Sequence, residues 1–324
     1  MKHRAQTPGV ILSLAGGTIF HEPWWLDAAT TDWQQVEVAW DGTVVGWLPF
    51  AVTRRYGSAR LEMPPYARVL GPVLNLPSSK PVTRFASVRS VVAALIAKLP
   101  RHNTFIQVLP PGSEQGIAFA LSGWTVEETY TFRVAPGVSL DAAWEAMSQK
   151  TRNVLRTAQS RMVVEQHGDL DRYIALSRMQ FQQQGRADRH RYDVLSRVFA
   201  ACAGRGRSMI LTARDERGRD AASATLLWDD EALYFWTAAR DPATAGNGAY
   251  SLLVWEALRL ALERDLAFDF DGFAPPAAGL FVASFGGAPV VRPRVIHQAF
   301  LPRLYALAKE ASPWAPQPEK TVRS

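Results

Sequence analysis

The stretch Phe268-Asp269-Phe270-Asp271-Gly272 places two carboxylates in a short, otherwise apolar segment, directly after an amphipathic run from Tyr250 to Arg264. Side chains of a β-strand alternate between its faces, so Asp269 and Asp271 are predicted to point together while the phenylalanines pack on the other side. Paired acids at a crevice indicate a functional site. A structural role is the alternative, in which both acids lie at a strand end, where one caps the following loop and the other pairs with an arginine.

Helix and strand patterns surround this stretch in a regular order. Before it, the sequence predicts a long amphipathic helix or a bent pair over 140–162, helices near 169–183 and 193–203, and strands over 209–213, 221–228 and 232–238. After it, the sequence predicts a helix over 277–285, a strand over 291–300 and a last helix near 301–311. The second half is thus a set of helices, a meander, and alternating helices and strands.

The first half shows a similar mixture. The patterns predict a short helix after Phe20, a β-hairpin over 36–48 with its turn at Asp41-Gly42, a Pro-rich loop over 63–72, a helix over 87–99, a strand over 104–109, a short helix over 116–121 and a strand over 125–134. The meanders at 36–50 and 209–228 resemble each other. Either a domain has been duplicated, or the likeness is only the one that any two meanders share.

Ala135-Pro136-Gly137 is the best candidate for a linker, because Pro and Gly punctuate structure and Ser139 can cap the helix that follows. We therefore predict an α+β (mixed α/β) protein of two domains, each a twisted mixed sheet flanked by helices. The predicted bounds are 1–135 for the first domain, 136–312 for the second, which carries the active crevice, and 313–324 for a frayed tail.

Composition narrows the function classes. The chain has 324 residues, 48% of them hydrophobic, and 11 tryptophans, as expected of a packed globular enzyme. No apolar run approaches the ~20 residues of a membrane span, and the apolar patch at 10–15 is a poor secretory signal. We therefore expect a cytoplasmic protein without stable membrane insertion.

Two further features bear on cofactors and partners. Cys202 is the only cysteine and lies in a helical apolar stripe, and the six histidines form no metal-binding motif, so we expect no metal. The net charge of +6 favours an anionic partner, such as a phosphate-bearing cofactor, a nucleotide sugar, RNA or an acidic membrane surface. A solvated surface rich in arginine explains the same charge.

The element order of the second half resembles the Gcn5-related N-acetyltransferase (GNAT) fold. Several short segments, in order, resemble its FemAB-like (BioF2-like) branch, the tandem-domain acyl and aminoacyl transferases: Trp24-Trp25-Leu26-Asp27-Ala28, Met63-Pro64-Pro65, Leu70-Gly71-Pro72, Lys150 to Ala158, Leu252 to Glu256, Asp269-Phe270-Asp271-Gly272 and Ser284-Phe285-Gly286-Gly287. The resemblance covers about 20–300.

This resemblance implies two GNAT-like domains and transfer of an acyl or aminoacyl group to an amine of a small molecule, a sugar or a cell-envelope precursor. Members that use aminoacyl-tRNA carry a long helical hairpin in the second domain, and no stretch here is long enough for it. The expected donor is therefore acyl-CoA or an acyl carrier protein, with tRNA the less favoured partner. A degenerate, non-catalytic binding module is a further alternative.

The pyrophosphate-binding signature of the superfamily is half present. Gly246-Asn247-Gly248 fits its end, Ala243 stands at the leading basic position, and Arg240 lies nearby. Glycines permit close approach of a phosphate, and a following helix N-terminus attracts it, so the predicted cofactor-binding set is Arg240, Gly246, Asn247, Gly248 and Ala249. The alternative is that this segment is an ordinary loop of small residues with no role in binding.

Amide formation needs a neutral amine, a positioned carbonyl and a stabilised oxyanion. Asp271, nearer the end of the strand, or Asp269 is the candidate base, with His297 as an alternative. Tyr250 is the candidate proton donor to the leaving thiolate, and half-buried packing is its plainer interpretation.

Substrate contacts are predicted on a helix face and an aromatic stripe. Lys150, Arg152, Asn153 and Arg156 are expected to bind an anionic part of donor or acceptor, unless they form only a solvated face. Trp24, Trp25, Tyr66 and Phe285 are expected to line the acceptor cleft, unless they pack in the core.

Overall fold

The computed structural model describes residues 17–55, 58–244, 246, 248–272 and 276–299. The predicted apolar patch at 10–15, the last helix near 301–311 and the tail lie outside these residues. None of the helices described is long and apolar enough to cross a membrane.

The described residues form a mixed sheet. Its strands are β1 (Trp33–Trp40), β2 (Thr43–Arg55), β3 (Ser58–Glu62), β4 (Val73–Leu74), β5 (Thr104–Val108), β6 (Thr125–Val134), β7 (Met162–His167), β8 (Ser208–Asp215), β9 (Asp220–Trp228), β10 (Ala232–Arg240), β11 (Ala267–Asp269) and β12 (Ala288–Gln298).

Helices flank the sheet. They are α1 (Pro23–Ala29), α2 (Pro81–Lys98), α3 (Gln115–Leu121), α4 (Leu140–Ala146), α5 (Gln149–Gln159), α6 (Leu170–Gln183), α7 (Tyr192–Ala203), α8 (Ala249–Glu263) and α9 (Pro276–Ala283). The predicted mixture of helices and mixed sheet is confirmed.

The strands follow one another across the sheet in the order β1-β2-β3-β5-β12-β6-β11-β10-β9-β8-β7, with β4 paired to β2. Most neighbours are antiparallel, but β3 with β5 and β10 with β11 are parallel. The late strand β12 lies between β5 and β6, both from the first half of the sequence. The predicted boundary at 135–136 stays a prediction, and β12 joins the two halves across it.

The break between α4 and α5 comes from a cap. The Ser148 hydroxyl accepts a hydrogen bond from the Thr151 amide at 3.2 Å, so a new helix starts where the apolar periodicity runs on. The bent pair, one of the two predicted alternatives, is therefore the one observed.

Three apolar clusters hold the sheet between its helices. One surrounds α8 and β8–β11, a second lies under α2 and α3, and a third packs α1 and α7 against β10. The third cluster brings Trp25 and Leu70 from the first half together with Val198 and Trp236 from the second. This shared core fixes the Pro-rich loop at 63–72 beside β10.

The second acid of the opening stretch is not part of a strand. β11 ends at Asp269, and Asp271 adopts a φ of +63°, which the strand conformation does not allow. The prediction that Asp269 and Asp271 lie on the same face of one strand is therefore wrong for Asp271. The chain instead turns at Asp271 and Gly272 and carries the second carboxylate out of the sheet.

Candidate active site

The site lies where two parallel strands separate. β10 and β11 pair through only three residue pairs, Ala232 to Tyr234 with Ala267 to Asp269, and β10 then runs on alone. A bulge in β10 between Phe235 and Thr237 marks this point. A cavity of about 1080 Å³ occupies the gap, with Phe235 and Ala238 on one wall and Phe270 and Asp271 on the other.

The start of α8 forms one end of this cavity, where Gly248, Ala249, Tyr250 and Ser251 all line it. Gly248 has a φ of +85°, and a Cβ there would lie 3.0 Å from side-chain atoms of both Val154 and Ala158 on α5. Only glycine fits both constraints. The helix N-terminus, with its partial positive charge, thus lies at the cavity wall.

The predicted cofactor-binding residues converge here. Arg240 and Gly246 line the same cavity as Gly248 and Ala249, while Asn247 lies outside the described residues. The Arg240 amide donates a hydrogen bond to the Gln180 side chain on α6 at 2.8 Å, which ties the end of β10 to that helix. Gly246, and Gly248 directly before the N-terminus of α8, leave room for an anionic group to approach this end of the cavity.

The helix face on α5 divides into two parts. Lys150 and Asn153 line an adjoining cavity of about 520 Å³ together with Gly246. Arg152 instead contacts the Glu145 carboxylate at 3.2 Å. Arg156 donates to the Asn153 side chain at 3.0 Å and lies over the Trp144 ring. Lys150 and Asn153 are therefore the members best placed to meet a ligand.

Asp269 is fully occupied by neighbouring groups. Its Oδ1 accepts hydrogen bonds from the Thr131 hydroxyl at 2.6 Å and from the Asp271 amide at 2.7 Å, and its Oδ2 accepts one from Arg133 Nε at 2.7 Å. The residue is 1% exposed. These contacts join β6 to β11 and fix the turn that carries Asp271, so Asp269 positions the second acid and is poorly placed as a base.

Asp271 has the opposite character. Its side chain is 3% exposed and lies at the cavity wall, between Arg68 and Arg292. Arg68 Nε is 2.5 Å from Oδ2 and Arg292 Nη1 is 3.6 Å from Oδ1, yet neither oxygen has a well-aligned hydrogen bond from a described residue. Pairing with arginine, the alternative explanation of this stretch, is therefore observed at both acids.

Burial raises the pKa of Asp271 to about 7, although Arg68 and Arg292 oppose the rise. The nearby charge of Asp269 adds to it. A carboxyl group with a pKa near neutrality exchanges protons readily at physiological pH, which is what a general base requires. Such a perturbed group in a cleft is a marker of a functional site.

Tyr250 lies at the same cavity, packed edge-on against Phe235 at 5.7 Å and tilted against Phe281 at 5.6 Å between ring centroids. Burial raises the pKa of its hydroxyl, with Arg240 opposing the rise. The phenol therefore stays protonated at neutral pH. That is the state in which it can donate a proton.

The predicted aromatic stripe does not line the cavity. Trp25 and Phe285 are both 0% exposed and belong to the core, because burial of their large apolar area is more favourable than exposure. Tyr66 packs against Trp236, with 5.6 Å between ring centroids, and its carbonyl accepts a hydrogen bond from the Trp236 indole. Trp24, partly buried, contacts Arg205. These residues support the site from outside.

His297 also lies elsewhere. Its ring stacks on Trp124 with centroids 5.0 Å apart, and its Nδ1 is 3.2 Å from Nε2 of His102. Burial lowers the pKa of His297, and the charge of His102 lowers it further. The ring therefore belongs to an aromatic cluster with Trp124 and His102 and does not line the cavity that Asp271 lines.

Sequence reasoning missed Arg68 and Arg292 as site residues. Arg68 lies in the Pro-rich loop and also donates a hydrogen bond to the Trp236 carbonyl, so it holds the bulged part of β10 and Asp271 together. Arg292 lies on β12 beside the Gly272 turn. The only available signal was that each is a basic residue in or near a segment that carried the family resemblance.

Comparison with known proteins gives a family for part of the chain. Residues 145–274 match the family described as Acetyltransferase (GNAT) domain. Comparison with curated protein sequences found no match.

Solved structures resemble most of the chain in fold. The crystal structure of FemX aligns with a TM-score of 0.69 at 13% identity, covering 91% of this chain and 95% of that one. A protein of unknown function from Bacteroides thetaiotaomicron aligns at 0.55 with 11% identity, covering 85% and 90% of the two chains. L-PGS from Bacillus licheniformis aligns at 0.52 with 13% identity, covering 88% and 90%.

Residues 145–274 are therefore similar to the GNAT domain family, and the chain shares the fold of FemX.

Proposed function

We propose that this protein transfers an acyl group from a thioester, either acyl-CoA or an acyl carrier protein, to an amine of a small molecule, a sugar or a cell-envelope precursor. One observation carries the proposal. A buried carboxylate with a pKa near 7 lies on the wall of the same cavity that ends at a glycine-preceded helix N-terminus.

Residues of the chain account for each step. Asp271 accepts the proton that the attacking amine loses, directly or through water. The nitrogen bonds to the thioester carbonyl carbon, and the carbon–sulfur bond of the resulting tetrahedral species breaks. Tyr250 donates its proton to the departing thiolate, which leaves as a thiol, and is then reprotonated from solvent. A backbone amide at the separation of β10 and β11 is the candidate partner for the oxyanion.

The donor side of the cavity suits a phosphate-bearing carrier. The N-terminus of α8 attracts anions, and Arg240 adds a positive charge on the same wall. Lys150 lies in the adjoining cavity, where Gly246 is shared between the two. Arg240, the start of α8 and Asp271 line one cavity, so a donor held at the first two could reach the acid.

A second candidate is aminoacyl transfer from tRNA, which the net charge of +6 favours. Binding of tRNA would weaken steeply with salt, because each phosphate neutralised by the protein releases counterions. The third candidate, a binding module without activity, fits the incomplete glycine signature.

The test is a mass-shift assay of purified protein with acyl-CoA donors of several chain lengths and a panel of amines, compared with charged tRNA as donor. We expect acylated amine and free CoA in equal amounts, and loss of product for Asp271→Asn. Asp265→Asn is the matched control, because Asp265 also has a positive φ but lies exposed in the turn after α8. Product only with charged tRNA supports the second candidate, and no product with any donor supports the third.

A further inference from the structure

One part of the cavity wall carries charged atoms of both signs without hydrogen-bond partners. They are both carboxylate oxygens of Asp271 and the Nε atoms of Arg68 and Arg292, none of which has a hydrogen-bond partner among the described residues. All three side chains line the same cavity. Buried charged groups are paired in folded proteins, and here two arginines face a single acid at the cavity wall.

Both arginines pair with the acid. Arg68 Nε approaches Oδ2 to 2.5 Å and Arg292 Nη1 approaches Oδ1 to 3.6 Å. One carboxylate thus faces two guanidinium groups, and one positive charge of the cluster is left without an anionic partner in it. A molecule that balances this cluster must carry an anionic group close to the amine that meets Asp271.

The charge of the cavity points to the same conclusion. Its described lining contains four arginines and one acid, the arginines being Arg68, Arg186, Arg240 and Arg292. Arg240 lies on the donor side, near the start of α8. Arg68 and Arg292 flank Asp271, where the acceptor amine must bind, so their excess positive charge faces the acceptor.

We infer that the acceptor is a zwitterionic amine, meaning an amine with a carboxylate close to the reacting nitrogen, as in a free amino acid. This inference rests on the proposed function. Its nitrogen donates to Asp271 and its carboxylate pairs with the guanidinium groups of Arg68 and Arg292, whose side chains line the cavity, as arginine suits a carboxylate. The reaction forms an N-acyl amino acid and a thiol, with the amine proton passing to Asp271.

The experiment uses matched acceptors that differ only in the anionic group. Lysine is compared with cadaverine, serine with ethanolamine, and glycine with glycinamide, each with acetyl-CoA and a long-chain acyl-CoA, and the product is measured by mass spectrometry. We expect kcat/KM to be at least about tenfold higher for the carboxylate-bearing member, as a charged hydrogen bond is lost in the other. Equal use of both members overturns the inference and leaves the proposed function intact.

Variants test whether Arg292 binds the carboxylate of the acceptor. Arg292→Gln should reduce the preference to about twofold or less, through KM for the acceptor and not KM for acyl-CoA, and Arg292→Lys should restore part of it. Arg294→Gln, two residues along β12 and paired with exposed Glu127, should keep the full preference. An Arg292→Gln enzyme that still prefers the carboxylate overturns the inference. Inactivity of the wild type toward every amine contradicts the proposed function itself.

Discussion

Arg68 and Asp271 come from opposite halves of the chain and meet with 2.5 Å between Nε and Oδ2. The same guanidinium donates a hydrogen bond to the Trp236 carbonyl at the bulge of β10. One side chain of the first half therefore holds both walls of the cavity. Its charge also opposes the burial that raises the pKa of Asp271.

Arg68→Gln should shift the acid limb of the pH profile of kcat/KM upward by about one to three pH units, the effect of an opposite charge at short range. Loss of the cation raises the pKa of Asp271, so more of the base is protonated at neutral pH and activity returns only at higher pH. Steady-state rates between pH 6 and 9 measure this. Arg60→Gln removes an exposed arginine of β3 and should leave the profile unchanged.

Asp271→Asn should stabilise the folded protein at high pH. The folded pKa of about 7 lies above the ordinary value of 3.8, so wild-type stability falls as pH rises between those values and the loss is complete above about 7. Asparagine does not ionise, so the variant should gain up to about 4 kcal/mol over wild type at pH 8 relative to pH 4. Urea unfolding at both pH values measures the gain, and a difference independent of pH would contradict it.

Asp269→Ala should destabilise the protein by about 3–5 kcal/mol, because removal of one partner of a buried ion pair leaves the other uncompensated. Arg133, Thr131 and the Asp271 amide would all lose their acceptor. Glu127→Ala removes an exposed ion pair with Arg294 and should cost no more than about 1 kcal/mol. Chemical denaturation of both variants gives the comparison. Equal losses would mean that Asp269 does not hold the turn.

Gly248→Ala should weaken acetyl-CoA binding and lower stability by about 1–3 kcal/mol. The new Cβ would press on Val154 and Ala158 and separate α8 from α5. Gly42→Ala is the matched control, since Gly42 has a φ of +80° but no atom within 4 Å of the added Cβ. Calorimetric titration with acetyl-CoA should show weaker binding only for Gly248→Ala.

Tyr250→Phe should lower kcat by about 100-fold or more while KM for the acceptor changes little, as expected for loss of a general acid. The ring contacts with Phe235 and Phe281 are kept, so the fold should not change. Tyr130→Phe alters an exposed tyrosine and serves as the control. If both variants turn over like wild type, Tyr250 has only a packing role.

Most elements with a strong apolar period were predictable from the sequence. The strand at 125–134 and the helix of α8 occur within one residue of their predicted bounds, and the hairpin predicted at 36–48 extends over 33–55. Three strands were missed. β4 has only two residues. β3 has only one buried side chain, Leu61, and β7 lies at the edge of the sheet with Val163 72% exposed, so neither shows the apolar alternation that marks a strand.

Site residues that are close in sequence could be predicted together, but contacts between residues far apart in the sequence could not. The glycine loop and Tyr250 are neighbours in sequence, so one motif located them together. The pairing of Asp269 with Arg133 and of Asp271 with Arg68 depends on how remote segments pack, which a single sequence does not encode as a local pattern. The positive φ of Asp271 could not be predicted for the same reason. The hydrogen bond from the Asp271 amide to the Asp269 carboxylate exists only once the turn has formed.

The insertion of β12 between β5 and β6 bears on how the chain is made. During synthesis β5 and β6 emerge long before residues 288–298. The backbone groups of each strand that pair with β12 therefore stay unpaired until most of the chain has been synthesised. Unpaired strand edges can pair with other chains. A nascent chain stalled before residue 288 should therefore recruit chaperones strongly, and release of the finished strand should end that dependence.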